Sequence, residues 1–297
     1  MPRAPLHRPF IKLLLLLRVI RWYNVLALLL AQILVAWVVF AEGQWRPLVS
    51  DAKLVFMVVA SAFTVAAAFL INAFYDKDKD LVNNPNQVIM GRLMRQGPLM
   101  NVYALLVLMA ILVSFWASLK IGLFYLAYNI LCWFYSHKLQ KLPWLREFSA
   151  TLLTLSPLLA VWLHFGRWHW GFAYYMLGLM LLLLTRELWK DLMGHRGNIV
   201  FGYLTAAVQT GSSRLRTLLP FIQTAVVCAL LGWSQWKGFE FDFYYSATYA
   251  IALYCLILSA FMAFGRTEQV WSKLDLGFKI GVIAYTLALL LHGGSWL

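Results

Sequence analysis

Charged side chains are scarce in this chain of 297 residues. They make up 12% of the sequence, only 12 residues are acidic, and 62% are hydrophobic. Soluble domains carry about 25% charged residues, so composition excludes that class. Cysteine is also rare: Cys132, Cys228 and Cys255 fall inside apolar stretches, where we expect them to pack as small hydrophobic side chains. They indicate neither a disulfide framework nor a metal site.

Apolar runs are what the sequence has in abundance. Many are long enough to cross a hydrocarbon core of ~30 Å, and they predict an all-α integral membrane protein made of a single domain, residues 1–297. We recognise nine predicted spans: 19–40, 54–75, 99–118, 120–136, 148–166, 170–189, 215–235, 243–264 and 276–293.

Lys and Arg are unevenly distributed between the predicted loops. Most of the 25 share the side of the N-terminus, which is therefore expected to be cytoplasmic. We expect a bacterial-type inner (plasma) membrane protein with its C-terminus outside, and residues 1–18 as an amphipathic segment on the cytoplasmic surface. The net charge of +13 then follows topology, suits an anionic lipid-like substrate and does not indicate nucleic-acid binding. The five Lys and Arg residues that fall on the opposite, outer side are Arg46, Lys53, Lys120, Arg167 and Lys237.

An acidic stripe ends the second predicted span. Asn72, Asp76 and Asp80 recur every fourth residue, which places them on one face of a helix. Ionised groups beside a membrane-spanning segment usually face a cavity and are functional. Two carboxylates and an amide are suitable ligands for Mg²⁺, which completes its shell with water and phosphate oxygens. Asp78, off the stripe, is expected to be a solvated loop residue.

This stretch resembles the first signature of the UbiA superfamily of membrane prenyltransferases. Residues 80–85 and 88–92 are similar to the geranylgeranylglycerol-phosphate synthase-like branch, and residues 135–141, Tyr-Ser-His-Lys-Leu-Gln-Lys, resemble the family's basic loop. The chain departs from the family at Ala73, where Asp is common, and at Gln140, where Lys is usual. The resemblance implies nine transmembrane helices around a central cavity that is open to the cytoplasmic face.

A second polar loop follows the sixth predicted span and resembles the second family signature. The family's second metal-binding pair of aspartates aligns with Gly194 and Asn198, and neither is a carboxylate. In one interpretation Asp191 and Asn198 hold a second Mg²⁺. In the other, Glu187 and Asp191 pair with nearby basic residues, Arg186 and Lys190, to neutralise a buried helix end.

The resemblance implies Mg²⁺-dependent transfer of a prenyl group from a prenyl diphosphate to a small acceptor, a glycerol phosphate or an aromatic quinone precursor. Membrane lipid is expected to surround the chain as a further partner. The alternative is a non-catalytic isoprenoid- or lipid-binding descendant, which the degenerate second signature favours. The expected metal ligands are Asp76, Asp80 and Asp191, with Asn72 as a further catalytic residue; the expected substrate contacts are Arg21, Asn24, Arg92, Tyr135, Lys138, Lys141 and Asn198.

Overall fold

The computed structural model describes residues 7–78, 82, 96–237, 243–264 and 268–291. Every regular element in these ranges is a helix, and no strand occurs among them. The all-α prediction is therefore confirmed for the part of the chain that the structure describes. Helix α1 covers much of the predicted amphipathic segment, and each predicted span overlaps one long helix.

In chain order the helices are α1 (His7–Val19), α2 (Trp22–Leu34), α3 (Trp45–Val49), α4 (Ala52–Tyr75), α5 (Gln96–Ala117), α6 (Leu119–His137), α7 (Leu145–Phe165), α8 (Trp170–Met193), α9 (His195–Val200), α10 (Ala206–Thr210), α11 (Ser212–Lys237), α12 (Phe243–Phe264) and α13 (Glu268–Leu287). Helix α2 continues into a π-helical segment, Val35–Phe40, and 3₁₀ turns occur at Leu139–Lys141 and Ala288–Leu291.

Seven helices of the described residues are long and apolar enough to cross a membrane: α2 with its π-helical continuation, α4, α5, α7, α8, α11 and α12. The other two long helices are α6 and α13. Helix α6 carries Lys120 and Asn129, and α13 carries charged residues such as Lys273 and Asp275, which lower their apolar character. Seven candidate spans are thus found, and the count of nine transmembrane helices stays a prediction.

The chain falls into two compact units. One comprises Met1–Leu30 and Ala52–Lys138, and the other comprises Ala31–Asp51 and Leu139–Leu297. The prediction of one domain stays a prediction.

In the first unit α4 packs against both α5 and α6, which also pack against each other. Small buried residues such as Ala60 and Ala67 on α4 allow the close approach of helix backbones that membrane helices favour. Its buried hydroxyl groups are hydrogen-bonded, because Ser61 bonds to Tyr125 on α6 and Asn129 Nδ2 donates to Thr64 Oγ1 at 3.1 Å.

In the second unit α8 is the central helix, packing against α7, α11 and α13. Buried tyrosines fix it to its neighbours: Tyr174 bonds to Thr248 of α12, and Tyr175 donates to Thr286 of α13, each at 3.1 Å. The fully buried side chain of Gln32 is also hydrogen-bonded, since its Nε2 donates to the Pro157 carbonyl oxygen at 2.7 Å. These contacts hold the helix that ends at the second polar loop.

The cysteines are free, as the sequence predicts. Cys132 and Cys255 are buried, whereas Cys228 on α11 is exposed. The prediction that all three are core residues is therefore wrong for Cys228. Its helix is apolar on more than one face, as membrane helices are, so hydropathy could not distinguish the buried face from the exposed one.

Candidate active site

The first acidic site lies where α4 ends. The helix stops at Tyr75, and the Asp76 amide donates to the Asn72 carbonyl oxygen at 2.9 Å, which closes the last turn. Asn72 Nδ2 also donates to Asp76 Oδ2 at 3.0 Å. Asp76 is buried, with 7% of its surface exposed. The spacing of four residues therefore brings the amide and the carboxylate together, as predicted.

The oxygen atoms of this pair fit a hard divalent cation. Asn72 Oδ1 is buried and accepts no hydrogen bond from the described residues, which is unusual for a buried polar atom. Beside the Asp76 carboxylate it supplies the kind of oxygen ligand that Mg²⁺ takes. Asp80 and Arg92 lie outside the described residues. Among the residues that are described, which do not include Asp80, no group of three or more His, Cys, Asp or Glu is arranged to hold a metal ion.

Arg21 is held against the helix that carries this pair. It lies in the turn between α1 and α2 with a φ of 50°, in the left-handed region that non-glycine residues rarely adopt. The Asn24 amide donates to the Arg21 carbonyl oxygen at 2.7 Å. The guanidinium lies over the Phe69 ring of α4, 5.3 Å from its centroid, in a cation–π contact. Arg21 is exposed and Asn24 half-buried, so the cation is accessible.

The end of α6 lies beside the end of α4. The ring of His137 contacts Tyr75 edge-on at 5.6 Å between centroids and stacks on Trp133 at 5.3 Å. Lys138 follows directly and is exposed, while Tyr135, one turn earlier, is half-buried. A basic residue is thus placed next to the helix end that bears Asp76.

Lys141 belongs to the second unit, where it contacts the loop after α9. Its ammonium lies over the Tyr203 ring, 5.7 Å from the centroid, and its carbonyl oxygen accepts from the Leu204 amide at 3.1 Å. The Tyr203 amide donates in turn to the Asn198 carbonyl oxygen at 2.8 Å. Two predicted substrate contacts, Lys141 and Asn198, are therefore joined through this loop.

Asp191 is the centre of the second polar cluster and is completely buried. Its Oδ1 accepts from Arg146 at 2.5 Å and from Asn198 Nδ2 at 2.8 Å, and its Oδ2 accepts from the Ala207 amide at 2.7 Å. Ala207 is in the first turn of α10, so Asp191 caps that short helix from a different helix. One side chain thereby connects α7, α8, α9 and α10.

Glu147 lies beside this cluster, in the first turn of α7. Only 1% of the residue is exposed, and neither carboxylate oxygen accepts a hydrogen bond from the described residues. The nearest cationic atom recorded is Arg146 Nη1, 3.9 Å from Oε1. Two buried carboxyl groups therefore share one guanidinium.

The two interpretations of the second loop can be compared with these contacts. Glu187 is neutralised as one of them expects, because Lys190 Nζ lies 2.7 Å from both of its oxygens and Arg186 lies 3.8 Å away. Asp191 forms its ion pair with Arg146. The prediction that Asp191 and Asn198 bind a second Mg²⁺ stays a prediction.

The sequence does not single out Arg146 and Glu147, which belong to the polar cluster around Asp191. Arg146 is one of the Lys and Arg residues of the predicted loops, and Glu147 directly precedes the predicted span 148–166. The available signal was the scarcity of acidic groups: Glu147 is one of 12 in the chain and adjoins an apolar run, the same combination that singles out Asp76.

Comparison with known proteins matches residues 25–283 to the UbiA prenyltransferase family. The digeranylgeranylglyceryl phosphate synthase of Methanobrevibacter smithii is 24% identical to this chain over 282 residues, which cover 91% of the chain and 94% of that protein.

Two solved structures are similar in fold. A structure of digeranylgeranylglyceryl phosphate synthase in membranes has a TM-score of 0.69 at 18% identity and covers 94% of this chain and 97% of its own. A UbiA homologue from Archaeoglobus fulgidus bound to GPP and Mg²⁺ has a TM-score of 0.62 at 16% identity, covering 93% of this chain and 99% of its own. With the family match extending over most of the sequence, the chain belongs to the UbiA prenyltransferase family.

Proposed function

We propose that this integral membrane prenyltransferase transfers a prenyl group from a prenyl diphosphate to a glyceryl phosphate acceptor, with Mg²⁺ as its cofactor. The observation that carries the proposal is the Asn72–Asp76 pair at the end of α4, a half-buried amide and a buried carboxylate with a side-chain hydrogen bond of 3.0 Å. It supplies adjacent oxygen ligands at the end of a membrane-spanning helix, in a chain of the matching family.

In this proposal Asp76 and Asp80 are the principal Mg²⁺ ligands, and Asn72 orients the Asp76 carboxylate through its Nδ2. When bound, Mg²⁺ supplies positive charge that stabilises the departing diphosphate. Asn72 Oδ1, which has no hydrogen-bond partner among the described residues, would bind the metal or accept from a polar group of the acceptor. Apolar residues around the site keep water away from the reactive carbon of the prenyl group.

The basic residues are the candidate contacts of the phosphate oxygens. They are Arg21, Arg92, Lys138 and Lys141. Arg21 is fixed against Phe69 and Lys141 against Tyr203. Cations held by aromatic rings lose less freedom on binding, which favours a phosphate-binding role. Further substrate contacts are Asn24, Tyr135 and Asn198, and Asp191 is the candidate ligand at a second metal.

The acceptor class rests on the relatives. The M. smithii protein is a digeranylgeranylglyceryl phosphate synthase, which supports a glyceryl phosphate that already carries one isoprenoid chain. The strongly basic face of the chain suits such an anionic lipid. We further propose that the N-terminus is cytoplasmic and the C-terminus outside, and that the catalytic cavity opens to the cytoplasmic face.

The proposal is tested with the full chain in lipid nanodiscs, radiolabelled geranylgeranyl diphosphate and Mg²⁺. One reaction receives geranylgeranylglyceryl phosphate and another an aromatic carboxylic acid such as 4-hydroxybenzoate. Label should move to the glyceryl phosphate, and EDTA should stop the transfer. Transfer to the aromatic acid alone would replace the acceptor class, and no transfer to either would favour the non-catalytic alternative.

A pair of aspartate variants tests the site. Asp76→Asn keeps the shape of the side chain but removes a metal ligand, and we expect at least ~100-fold less transfer, since a lost charge-stabilising interaction costs about 2.7–4 kcal/mol of barrier. Asp78→Asn, at an exposed position two residues away, is the matched control and should retain activity. Equal activities of the two variants would contradict the assignment.

A further inference from the structure

A groove with a volume of about 200 Å³ runs between α5 and α6 in the first unit. Its walls are side chains spaced three or four residues apart, which lie on one face of each helix. They are Tyr103, Val107 and Ile111 of α5 and Leu126, Ile130 and Trp133 of α6. At 1.5 Å per residue, the α5 wall is ~12 Å long. Small-molecule sites measure roughly 300–1,000 Å³, so this α5–α6 groove accommodates a segment of an extended chain rather than a whole ligand.

The deep part of the α5–α6 groove offers no hydrogen-bond donor. Asn129 also lines the groove and is its most buried residue, 6% exposed. Its Nδ2 donates to Thr64 Oγ1 at 3.1 Å and to the Tyr125 carbonyl oxygen at 2.8 Å, so both N–H bonds of the amide are used inside the protein. Aromatic side chains that carry a polar group, Tyr103 and Trp133, occur at one end only. This arrangement suits a hydrocarbon chain whose polar end lies beside the two aromatic residues.

The groove faces the membrane and ends near its middle. Among the candidate spans of the described residues α5 is the least buried, since 11% of its apolar stretch is buried and every other span has 33% or more. The α6 wall starts at Trp133 and ends at Leu126, four and eleven residues from the end of α6 at His137, which correspond to depths of ~6 and ~17 Å. Half of a hydrocarbon core of ~30 Å is ~15 Å. The groove therefore has the depth of a lipid chain in one leaflet.

Basic and polar groups continue the groove at its shallow end. His137 lies on the same stripe of α6 and stacks on Trp133, with 5.3 Å between the ring centroids. Lys138 follows directly and is exposed. On the other side His137 contacts Tyr75, the residue before Asp76. An exposed ammonium at the end of a chain-sized groove is complementary to the phosphate of an anionic lipid.

We propose that the α5–α6 groove binds one hydrocarbon chain of an anionic membrane lipid, with the lipid phosphate against Lys138. The lipid belongs to the leaflet at the Asp76 end of α4. A helix of a second copy of the chain is about 10–12 Å across with its side chains, which a groove of this volume does not admit. The inference is independent of the proposed function, because lipid binding requires no prenyl transfer. Since Lys138 is also a candidate diphosphate contact, the test is made without the prenyl donor.

Photoactivatable lipid tests the position of the chain. The full chain is placed in lipid nanodiscs that contain a small fraction of phosphatidylglycerol with a diazirine in one acyl chain, and cross-links are located by mass spectrometry after irradiation. They should concentrate on Val107 and Ile130 rather than on Leu105, which is 57% exposed but lies off the groove. Val107→Trp fills the groove and should lose most of these cross-links, whereas Leu105→Trp, the matched control, should keep them.

Cross-links spread evenly along α5, or no loss in Val107→Trp, would overturn the proposal. So would a wild-type groove shielded from the lipid in a chemically cross-linked dimer, because a second copy would then cover this face.

The charge of the head group gives a second test that does not depend on the folding of Val107→Trp. Phosphatidylglycerol should label the groove about fivefold more than phosphatidylcholine with the same diazirine chain, which is the preference that one lysine near the surface provides. Lys138→Gln changes an exposed residue and should remove most of this preference while the cross-links stay in the groove. Equal labelling of the wild type by the two lipids, or an unchanged preference in Lys138→Gln, would contradict the assignment of the phosphate to Lys138.

Discussion

Replacing Arg146 by methionine isolates the value of its buried ion pair with Asp191. Methionine retains much of the apolar stem but removes the guanidinium that lies 2.5 Å from Asp191 Oδ1. Asp191 then keeps the donors of Asn198 and Ala207, while its charge, next to Glu147, remains buried. Breaking a buried ion pair by removing one partner costs about 3–5 kcal/mol.

That loss should be visible as a lower melting temperature. With a change of about 2–4 °C per kcal/mol for a chain of this size, Arg146→Met should melt ~10 °C below the wild type when tryptophan fluorescence is followed in detergent. Lys279→Met is the control, because Lys279 bonds to Asp275 at 2.7 Å but is 41% exposed. A pair so exposed is worth only about 0–1 kcal/mol.

A double variant separates the charge effect from lost packing. Arg146→Met combined with Asp191→Asn removes both charges and leaves an oxygen that still accepts from the Ala207 amide. Most of the lost stability should return, since a buried pair replaced as a unit costs little. The reasoning would be refuted if Arg146→Met melted no lower than Lys279→Met, or if the double variant were no more stable than Arg146→Met alone.

Two further predictions concern packing. Cys228 is exposed while Cys132 and Cys255 are buried, so a membrane-permeant maleimide should label the native chain once, at Cys228. Mass spectrometry of the labelled peptides checks the position. Modification of Cys132 or Cys255 in the folded protein would contradict the prediction. Gly178 of α8 has no room for a Cβ atom, because that atom would meet the Tyr285 hydroxyl of α13. Gly178→Ala should therefore cost about 1–3 kcal/mol of overpacking, and adding Tyr285→Phe should recover part of that loss in thermal melts; no recovery would place the strain elsewhere.

The sequence predicted the features that depend on local spacing. Apolar runs located the long helices, and the i, i+4 rule placed Asn72 beside Asp76, because a helix fixes the distance between residues four apart. The predicted span 148–166 starts three residues late, since α7 begins at Leu145. The reason is that hydropathy excludes charged residues such as Glu147 from a span, yet Glu147 is buried in the structure.

The second cluster could not be predicted because its contacts join distant parts of the chain. Arg146 and Asp191 are 45 residues apart, and Asp191 and Ala207 are 16 apart. Such contacts are set by how α7, α8 and α10 pack, and no periodicity within one segment encodes them. Gly194 and Asn198 belong to the degenerate signature, whereas Glu147, the buried glutamate of this cluster, lies on a different helix, α7.

The capping of α10 by Asp191 has a consequence for the dynamics of the loop between α9 and α10. Helix α10 has five residues, well below the roughly 12–15 that an isolated helix needs to be stable in water. Its stability therefore depends on a side chain of α8. Any event that turns Asp191 away from α10 would also loosen the backbone that leads back to Tyr203, and with it the contact between Tyr203 and Lys141. Deuterium uptake at the Ala207 amide would therefore report, from a distance along the chain, on the loop that contacts Lys141.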